Sequence, residues 1–442
     1  MDYAEHCTDC IVPVSRPFLL LPSYTTCVFI LMFYLYTASA AADCPPGRQG
    51  AYHDEGKLHE DLLCAYHSDY RPVVDHKSAV NVKIRLALKY ISFDSLEETF
   101  TVHSWVAMSW KDEFLKWTPS DYGDIKETQI ESHEIWTPRM SLFNADATYY
   151  QSDTFFTTCL LTNDGTVTCV PHIAHSGICA TSLRRWPYDS QNCTLYFGSW
   201  MHTGEQVNFT FYKSKPVVLD DYQNGPGWKL LNVVNDRLPG NFSCCPNTTY
   251  PMLKYVFMLR REAAGPAAIV VIPSCVIVLL TLTSLLLDIK DNTRLLLACF
   301  SLFGHFMFLT EIGYSLPKHS SDTPIVLLFI RDSMIVTLVA ILETLVLMAL
   351  RRRIVPAPMW IVSVNRLVTS GPGKYVVFTE FDPSDLLDQK SLTDDNISTS
   401  GQRSGEVSDW IKFANLLNSC VFMISVLVYI ILIKRCRYLC TS

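Results

Sequence analysis

The sequence predicts an α+β multidomain chain, an extracellular β-sandwich followed by a four-helix transmembrane bundle. Three observations point there. Apolar residues make up 49% of the 442 and are concentrated late in the chain. Short alternating runs such as Val80-Asn-Val-Lys-Ile-Arg-Leu-Ala-Leu88 recur over residues 52–261, separated by turn signals, as strands with one buried face require. Four long apolar runs follow, each able to cross a bilayer.

The chain opens with an apolar core at residues 27–36 and the small-residue stretch Ala38-Ser39-Ala40. Residues 1–42 therefore read as a signal peptide, cleaved after Ala40 or after Ala42. The net charge is -7 and no Lys/Arg run or nucleic-acid motif occurs, so no nucleic-acid partner is expected. Sixteen cysteines sort by region. Cys7, Cys10 and Cys27 fall in the leader. Cys275, Cys299, Cys420, Cys436 and Cys440 fall in or near the apolar runs. The soluble half holds Cys44, Cys64, Cys159, Cys169, Cys179, Cys193, Cys244 and Cys245, an even set that fits a disulfide framework. Glycosylation acceptors at Asn192, Asn208, Asn241 and Asn247 share that region and give it an extracellular address.

Within the ligand-facing half, residues 43–262, a short amphipathic helix is expected at 53–67, ahead of the strands. Asn163-Asp164-Gly165 and Asn224-Gly-Pro-Gly227 are the turn signals, and a region of many short strands suggests a sandwich. Cys159 and Cys169 flank the first turn symmetrically. A three-residue hairpin loop there brings them opposite each other, as a cross-strand bridge or as two buried thiols. Cys44 and Cys64 are another candidate pair. His172 and His175 have metal-compatible spacing, but two ligands do not make a zinc site, and neither metal nor cofactor is expected. No nucleophile elbow, metalloprotease helix or phosphate loop supports an enzyme.

The membrane segments are 266–287, 295–316, 324–350 and 413–433, so transmembrane helices 1–3 occupy residues 263–350 and the fourth, with a short tail, 411–442. Arg351, Arg352 and Arg353 place the end of the third span in the cytoplasm. With an external N-terminal half, Lys434, Arg435 and Arg437 then face outside, against the positive-inside tendency. The cytoplasmic linker, 351–410, carries a Ser/Thr/Asp/Gly-rich stretch at 391–408 that reads as disordered.

Cys244 and Cys245 are adjacent, in Asn241-Phe-Ser-Cys-Cys-Pro-Asn-Thr-Thr-Tyr250. Such neighbours either close a small strained ring or find separate partners. Upstream, Cys179 and Cys193 bracket a loop containing Trp186-Pro187-Tyr188-Asp189. This loop, the vicinal pair and four spans together resemble the Cys-loop ligand-gated ion channels, and within them an α-type nicotinic acetylcholine receptor subunit, over residues 52–433. The resemblance implies disulfides Cys179–Cys193 and Cys244–Cys245, a pentamer with other receptor subunits, and a postsynaptic plasma-membrane location. It also implies a site between subunits for acetylcholine or a related cationic amine. Aromatic faces attract such cations, Trp most strongly. By resemblance Trp200 is the central cation-binding ring. Phe143 and Phe242 stand where the family has Tyr, Tyr250 matches its last Tyr, and Trp105 matches the Trp that a neighbouring subunit contributes.

The same resemblance assigns the pore to Leu296, Phe300, Phe303, Met307, Thr310 and Tyr314, one face of the second span. Phe303 holds the place of the gate Leu. At the cytoplasmic mouth, where cation channels of the family carry a Glu, this chain has Thr293 beside Arg294. Five copies of so bulky a face imply a poorly conducting homopentamer and favour a hetero-pentamer. Arg261 matches the family's basic residue before the first span. Its acidic partner is replaced by Ser95, which leaves Asp94, Glu97 and Glu98 as candidates to take over. Three polar coupling residues of the family are changed here, to Tyr196, Phe242 and Met252. The alternatives to a channel subunit are a non-conducting assembly subunit and a Cys-loop receptor for another small ligand.

Overall fold

The computed structural model describes residues 53–146, 155–243, 245–246, 248–317, 322–353, 355–370 and 400–441. The leader and Cys44 lie outside these. A helix, α1 (Asp54–Leu63), precedes the strands, and Leu58 plugs it into the core. Its N-terminus is capped by the His53 ring, which accepts from the Gly56 amide.

The first sheet is built around two long strands, β1 (Val80–Asp94) and β2 (Thr99–Lys111). Along β1 Val80, Val82, Ile84, Leu86 and Leu88 point inward, the period of two expected of a half-buried strand. A register shift between Leu88 and Tyr90 flips the parity, so Ile91 and Phe93 continue the inward row. Around these two lie β3 (Glu127–Glu131), β5 (Thr158–Thr162), β6 (Thr166–Cys169), β7 (His172–Ile178), β9 (Val207–Phe211) and β10 (Val217–Val218). Strands β9 and β10 run parallel to β1, and β6 and β7 pair in succession along the other edge of β2.

The second sheet runs β11 (Trp228–Leu238), β12 (Met252–Arg261), β8 (Ser190–Gly198) and β4 (Ser141–Leu142). Its inner row on β12, Leu253, Tyr255, Phe257 and Leu259, is fully buried. Rings lock the sheets together: Phe93 on Trp228 at 5.0 Å, Phe100 on Phe257 at 5.2 Å and Phe211 on Tyr255 at 5.4 Å between centroids. Each such side chain withdrawn from water contributes roughly 1.5–3 kcal/mol.

The Cys159–Cys169 bond forms across directly paired residues of β5 and β6, and Cys179–Cys193 closes the loop before β8. Cys64 is also in a disulfide. Of the glycosylation acceptors, Asn192 and Asn241 are exposed. Asn208 is half-buried, its amide donating to Asn81 at 2.8 Å and accepting from Arg237 at 2.6 Å. Asn247 lies outside the described residues.

Four helices long and apolar enough to cross a membrane follow: α2 (Ala264–Leu286), α3 (Asn292–Ser315), α4 (Ile325–Arg351) and, within α6 (Ser400–Thr441), residues Asp409–Cys436. Polar side chains are paired between them. Thr281 bridges Ser301 and Thr337 at 2.9 Å each, and Ser333 bridges His305 at 2.7 Å and Tyr429 at 3.0 Å. Among the described residues, the linker after the third span differs from its expected disorder only at residues 400–408, which are helical and form the start of α6. It also contains a helix, α5 (Met359–Ser370). Helix α5 is held to α6 by Asn365 donating to the Asp409 carbonyl at 2.8 Å and by Trp360 on Phe413 at 5.5 Å. These tertiary contacts supply order that composition does not report.

Candidate functional site

The rings expected to hold a cation sit where the second sheet ends. The Phe143 amide donates to the Tyr196 carbonyl at 2.9 Å, extending the β4–β8 pairing by one residue. Asn144 then clamps β8 from its side, donating to Thr194 at 2.7 Å and accepting from the Tyr196 amide at 3.1 Å. This sets the Phe143 ring over Gly198, where an added Cβ would stand 2.5 Å from it. Only a glycine leaves that room. Beyond Gly198 the chain turns out, and Trp200 is 69% exposed with its centroid 5.8 Å from Phe143. Trp200 is therefore a presented ring, not a core ring.

The β11–β12 hairpin carries the second pair. The Tyr250 amide donates to the Gly240 carbonyl at 3.0 Å, pinching off the tip. Gly240 has φ +65°, and a Cβ there would lie 1.7 Å from the Tyr250 carbonyl oxygen, so no other residue fits. Phe242 and Tyr250 pack edge to face at 5.8 Å. The Cys245 amide donates to the Phe242 carbonyl, and the Thr248 amide to the Cys245 carbonyl, at 3.1 and 3.2 Å. Cys244, and with it the expected Cys244–Cys245 bond, lies outside the described residues. The Gly204 amide, in the loop that carries Trp200, donates to the Thr249 carbonyl at 2.8 Å. The segments bearing the two ring pairs are thus bonded to one another at one end of the sheet.

Trp105 lies elsewhere, on β2 of the first sheet, and is 40% exposed. It stands opposite His172 of β7, with ring centroids 5.2 Å apart. His103, two residues away on the same face, is held below the ordinary imidazole range by partial burial and then by the neighbouring His172. His202, near Trp200, is also lowered, by burial and by the positive charges of Arg71 and Arg139.

His172 and His175 occupy opposite faces of β7, one exposed and one buried, so they do not converge on a shared ligand. His175 is fully enclosed against Phe197, and burial pushes its imidazole down to about 3, leaving it neutral. Among the described residues no group of three or more His, Cys, Asp or Glu is placed to hold a metal.

The partner of Arg261 is not in the early loop. Its guanidinium meets the buried Asp189 carboxylate through Nε–Oδ1 at 2.7 Å and Nη2–Oδ2 at 3.1 Å and stacks over Trp228 at 4.2 Å. Gln191 donates to the same carboxylate at 2.7 Å. Register explains the pairing: Ser190 of β8 faces Arg260 of β12, which brings Asp189 beside Arg261. The early loop binds the Cys179–Cys193 loop instead. Glu98 accepts from the Thr181 amide and hydroxyl at 3.0 and 2.8 Å, while Asp94 caps its own turn at Leu96. Asp189 and Gln191 were missed from sequence because only cross-strand register exposes them. Tyr196 faces Lys254 in the β8–β12 pairing and Met252 faces Leu238.

The loop also docks on the membrane helices. Leu183 is buried against Val270, Ile312, Leu316 and Ile330, and the Arg184 carbonyl accepts from the Ile325 amide at 3.1 Å. Trp186 and Pro187 share an apolar cavity with Ile433 and Cys436, so the C-terminal end of α6 lies on the β-sandwich side, as four spans require.

On α3 the six residues assigned to the pore, Leu296, Phe300, Phe303, Met307, Thr310 and Tyr314, are all exposed, while Arg294, Ala298, Ser301, His305 and Ile312 pack inward. Arg294 therefore does not lie on that exposed face. It is fully buried, donating to Glu343 at 2.6 Å, Asn418 at 2.8 Å and Thr344 at 3.0 Å, and ties α3 to α4 and α6.

Residues 55–263 match the neurotransmitter-gated ion-channel ligand binding domain family. The chain is 28% identical over 296 residues to the neuronal acetylcholine receptor subunit alpha-5 of Bos taurus, covering 65% of this chain and 61% of that one. It is 27% identical over 311 residues to acetylcholine receptor subunit alpha-like 2 of Drosophila melanogaster, covering 68% and 54%. With the human neuronal subunit beta-3 it shares 27% over 322 residues, covering 70% and 68%. The alignments span less than two thirds of the alpha-5 relatives' length. Fold, matched domain and relatives agree: residues 55–263 form a ligand binding domain of the neurotransmitter-gated ion-channel family, and four helices long and apolar enough to cross a membrane follow it.

Proposed function

We propose that the chain is a divergent α-like subunit of a pentameric acetylcholine-gated channel, assembled with other receptor subunits in a postsynaptic membrane. Acetylcholine or a related cationic amine binds between subunits and opens a cation-selective pore. The observation that carries this reading is Trp200, 69% exposed, with Phe143 set beside it and the Phe242–Tyr250 pair on a segment bonded to its loop. A desolvated quaternary ammonium gains about 2 kcal/mol on such a face. Trp105, exposed on the other sheet, is available to complete a site on the next subunit. The test is co-expression with candidate partner subunits, read by radioligand competition and voltage clamp. Trp200→Ala is expected to weaken cholinergic binding by at least tenfold. Failure of every cholinergic ligand to bind in every subunit combination refutes the reading.

The bulky exposed face of α3 favours one second reading, a non-conducting subunit that tunes the assembly of its partners. In that case co-expression changes the surface level of the partners without changing conductance. A receptor for another small ligand predicts binding that depends on Trp200 but not on a cationic amine.

A further inference from the structure

On the exposed face of the first sheet, four side chains follow one another across three strands: Tyr90 of β1, His103 and Trp105 of β2, and His172 of β7. Tyr90 stacks flat on His103 at 4.0 Å and 12°. His103 and His172 are 6.5 Å apart at 28°, and His172 meets Trp105 at 5.2 Å. The register explains the spacing. His172 pairs with Trp105 and Ala174 with His103, so the imidazoles are diagonal neighbours and the small Ala174 leaves space beside His103. No side-chain hydrogen bond ties up either imidazole among the described residues. Lys89 is turned to Asp221 at 2.9 Å, and Arg85 lies over Tyr212 at 4.4 Å.

We propose that His103 and His172 form a two-imidazole site for a borderline divalent transition ion, Zn²⁺ or Cu²⁺, beside Trp105. Imidazole nitrogen suits these ions. Two rings sharing an ion at about 2.0–2.1 Å per nitrogen have centroids roughly 5–6.5 Å apart; the observed 6.5 Å lies at the upper end of that range, and the two rings must turn toward each other to share the ion. The Tyr90 stack holds His103 from one side and so lowers the entropy lost on chelation. Water or a group of the facing subunit fills the remaining positions, so the site is an open, modulatory one rather than a structural one. The metal site does not depend on the cholinergic reading. Where that reading holds, a dication next to Trp105 opposes an ammonium at the same ring.

The experiment titrates the purified full-length receptor, at pH 7.4, with Cu²⁺ alone, read as quenching of Trp fluorescence. Wild type is expected to show a saturable component, and His103→Ala and His172→Ala to shift its midpoint at least tenfold. Tyr90→Leu is expected to weaken it less. Both positions are at the surface, and matching thermal midpoints of the variants confirm that they fold. Titrations identical in wild type and both alanine variants overturn the site. A second arm measures cholinergic ligand binding with and without Zn²⁺. A weakening seen in wild type and lost in His172→Ala supports regulation, and an unchanged affinity with the quenching intact overturns the regulatory part alone.

Discussion

The Asp189–Arg261 pair offers the sharpest test of how the β-sandwich is joined to the membrane helices. Asp189→Asn keeps the shape of the side chain and removes its charge. Asp189 is almost wholly buried and Arg261 only 12% exposed, so little water is at hand to replace the lost partner. Breaking one side of such a pair costs about 3–5 kcal/mol, because the remaining charge stays buried. Stacking on Trp228 and the retained Gln191 contact put the expected loss near the lower end, about 3 kcal/mol. For a domain of this size that is a fall of about 6–12 °C in thermal midpoint. The assay compares detergent-purified receptor variants at one scan rate. Arg261→Gln alone is expected to cost a similar amount, and the double variant Asp189→Asn/Arg261→Gln to cost clearly less than the two together, a coupling of about 2 kcal/mol or more. Glu98→Gln, whose amide oxygen still accepts from Thr181, should cost about 1 kcal/mol. Strict additivity of the Asp189 and Arg261 changes, or a single-variant loss within 0.5 kcal/mol, refutes the reasoning.

Three further outcomes are expected. His175 has a folded-state value well below that of a free imidazole, so its contribution is fully present above about pH 6.5 and is lost as pH falls toward about 3. Stability should drop by about 2 kcal/mol at pH 5 from this group, and His175→Leu should remove that part of the acid slope in denaturant titrations, whatever it does at neutral pH. Phe143→Tyr and Phe242→Tyr each restore a hydroxyl at the proposed cation site and should tighten cholinergic binding by about fivefold, worth about 1 kcal/mol; weaker binding in both argues against that placement. In the bundle, Arg294→Leu leaves Glu343 buried without its cation and should cost about 3–5 kcal/mol, whereas Arg294→Leu/Glu343→Leu should recover most of it, seen as monodispersity and thermal midpoint in detergent. Equal damage from the single and double changes shows that the pair does not act as a unit.

Much of this protein was legible without coordinates. The period-two runs, the hairpin around Asn163-Asp-Gly165 with its flanking cysteines and the four apolar spans are local properties, set by side-chain alternation, turn geometry and hydrocarbon thickness. The exposed face of α3 follows in the same way from helical spacing. What the chain alone left undetermined is how distant segments meet. Arg261 had three acidic candidates in the loop around Ser95, yet β8–β12 register gave it Asp189. Arg294 looked like a pore-mouth charge and is instead buried, because Glu343 and Asn418, far along the chain, converge on it. The polar start of α6 read as disorder, although contacts with α5 lie just beyond it. Trp200 could have been a core ring or a presented one, and only the packing of Phe143 over Gly198 decided the matter. Periodicity encodes which side of an element is buried; it carries no information about which partner waits there, since that depends on register and docking between segments many residues apart.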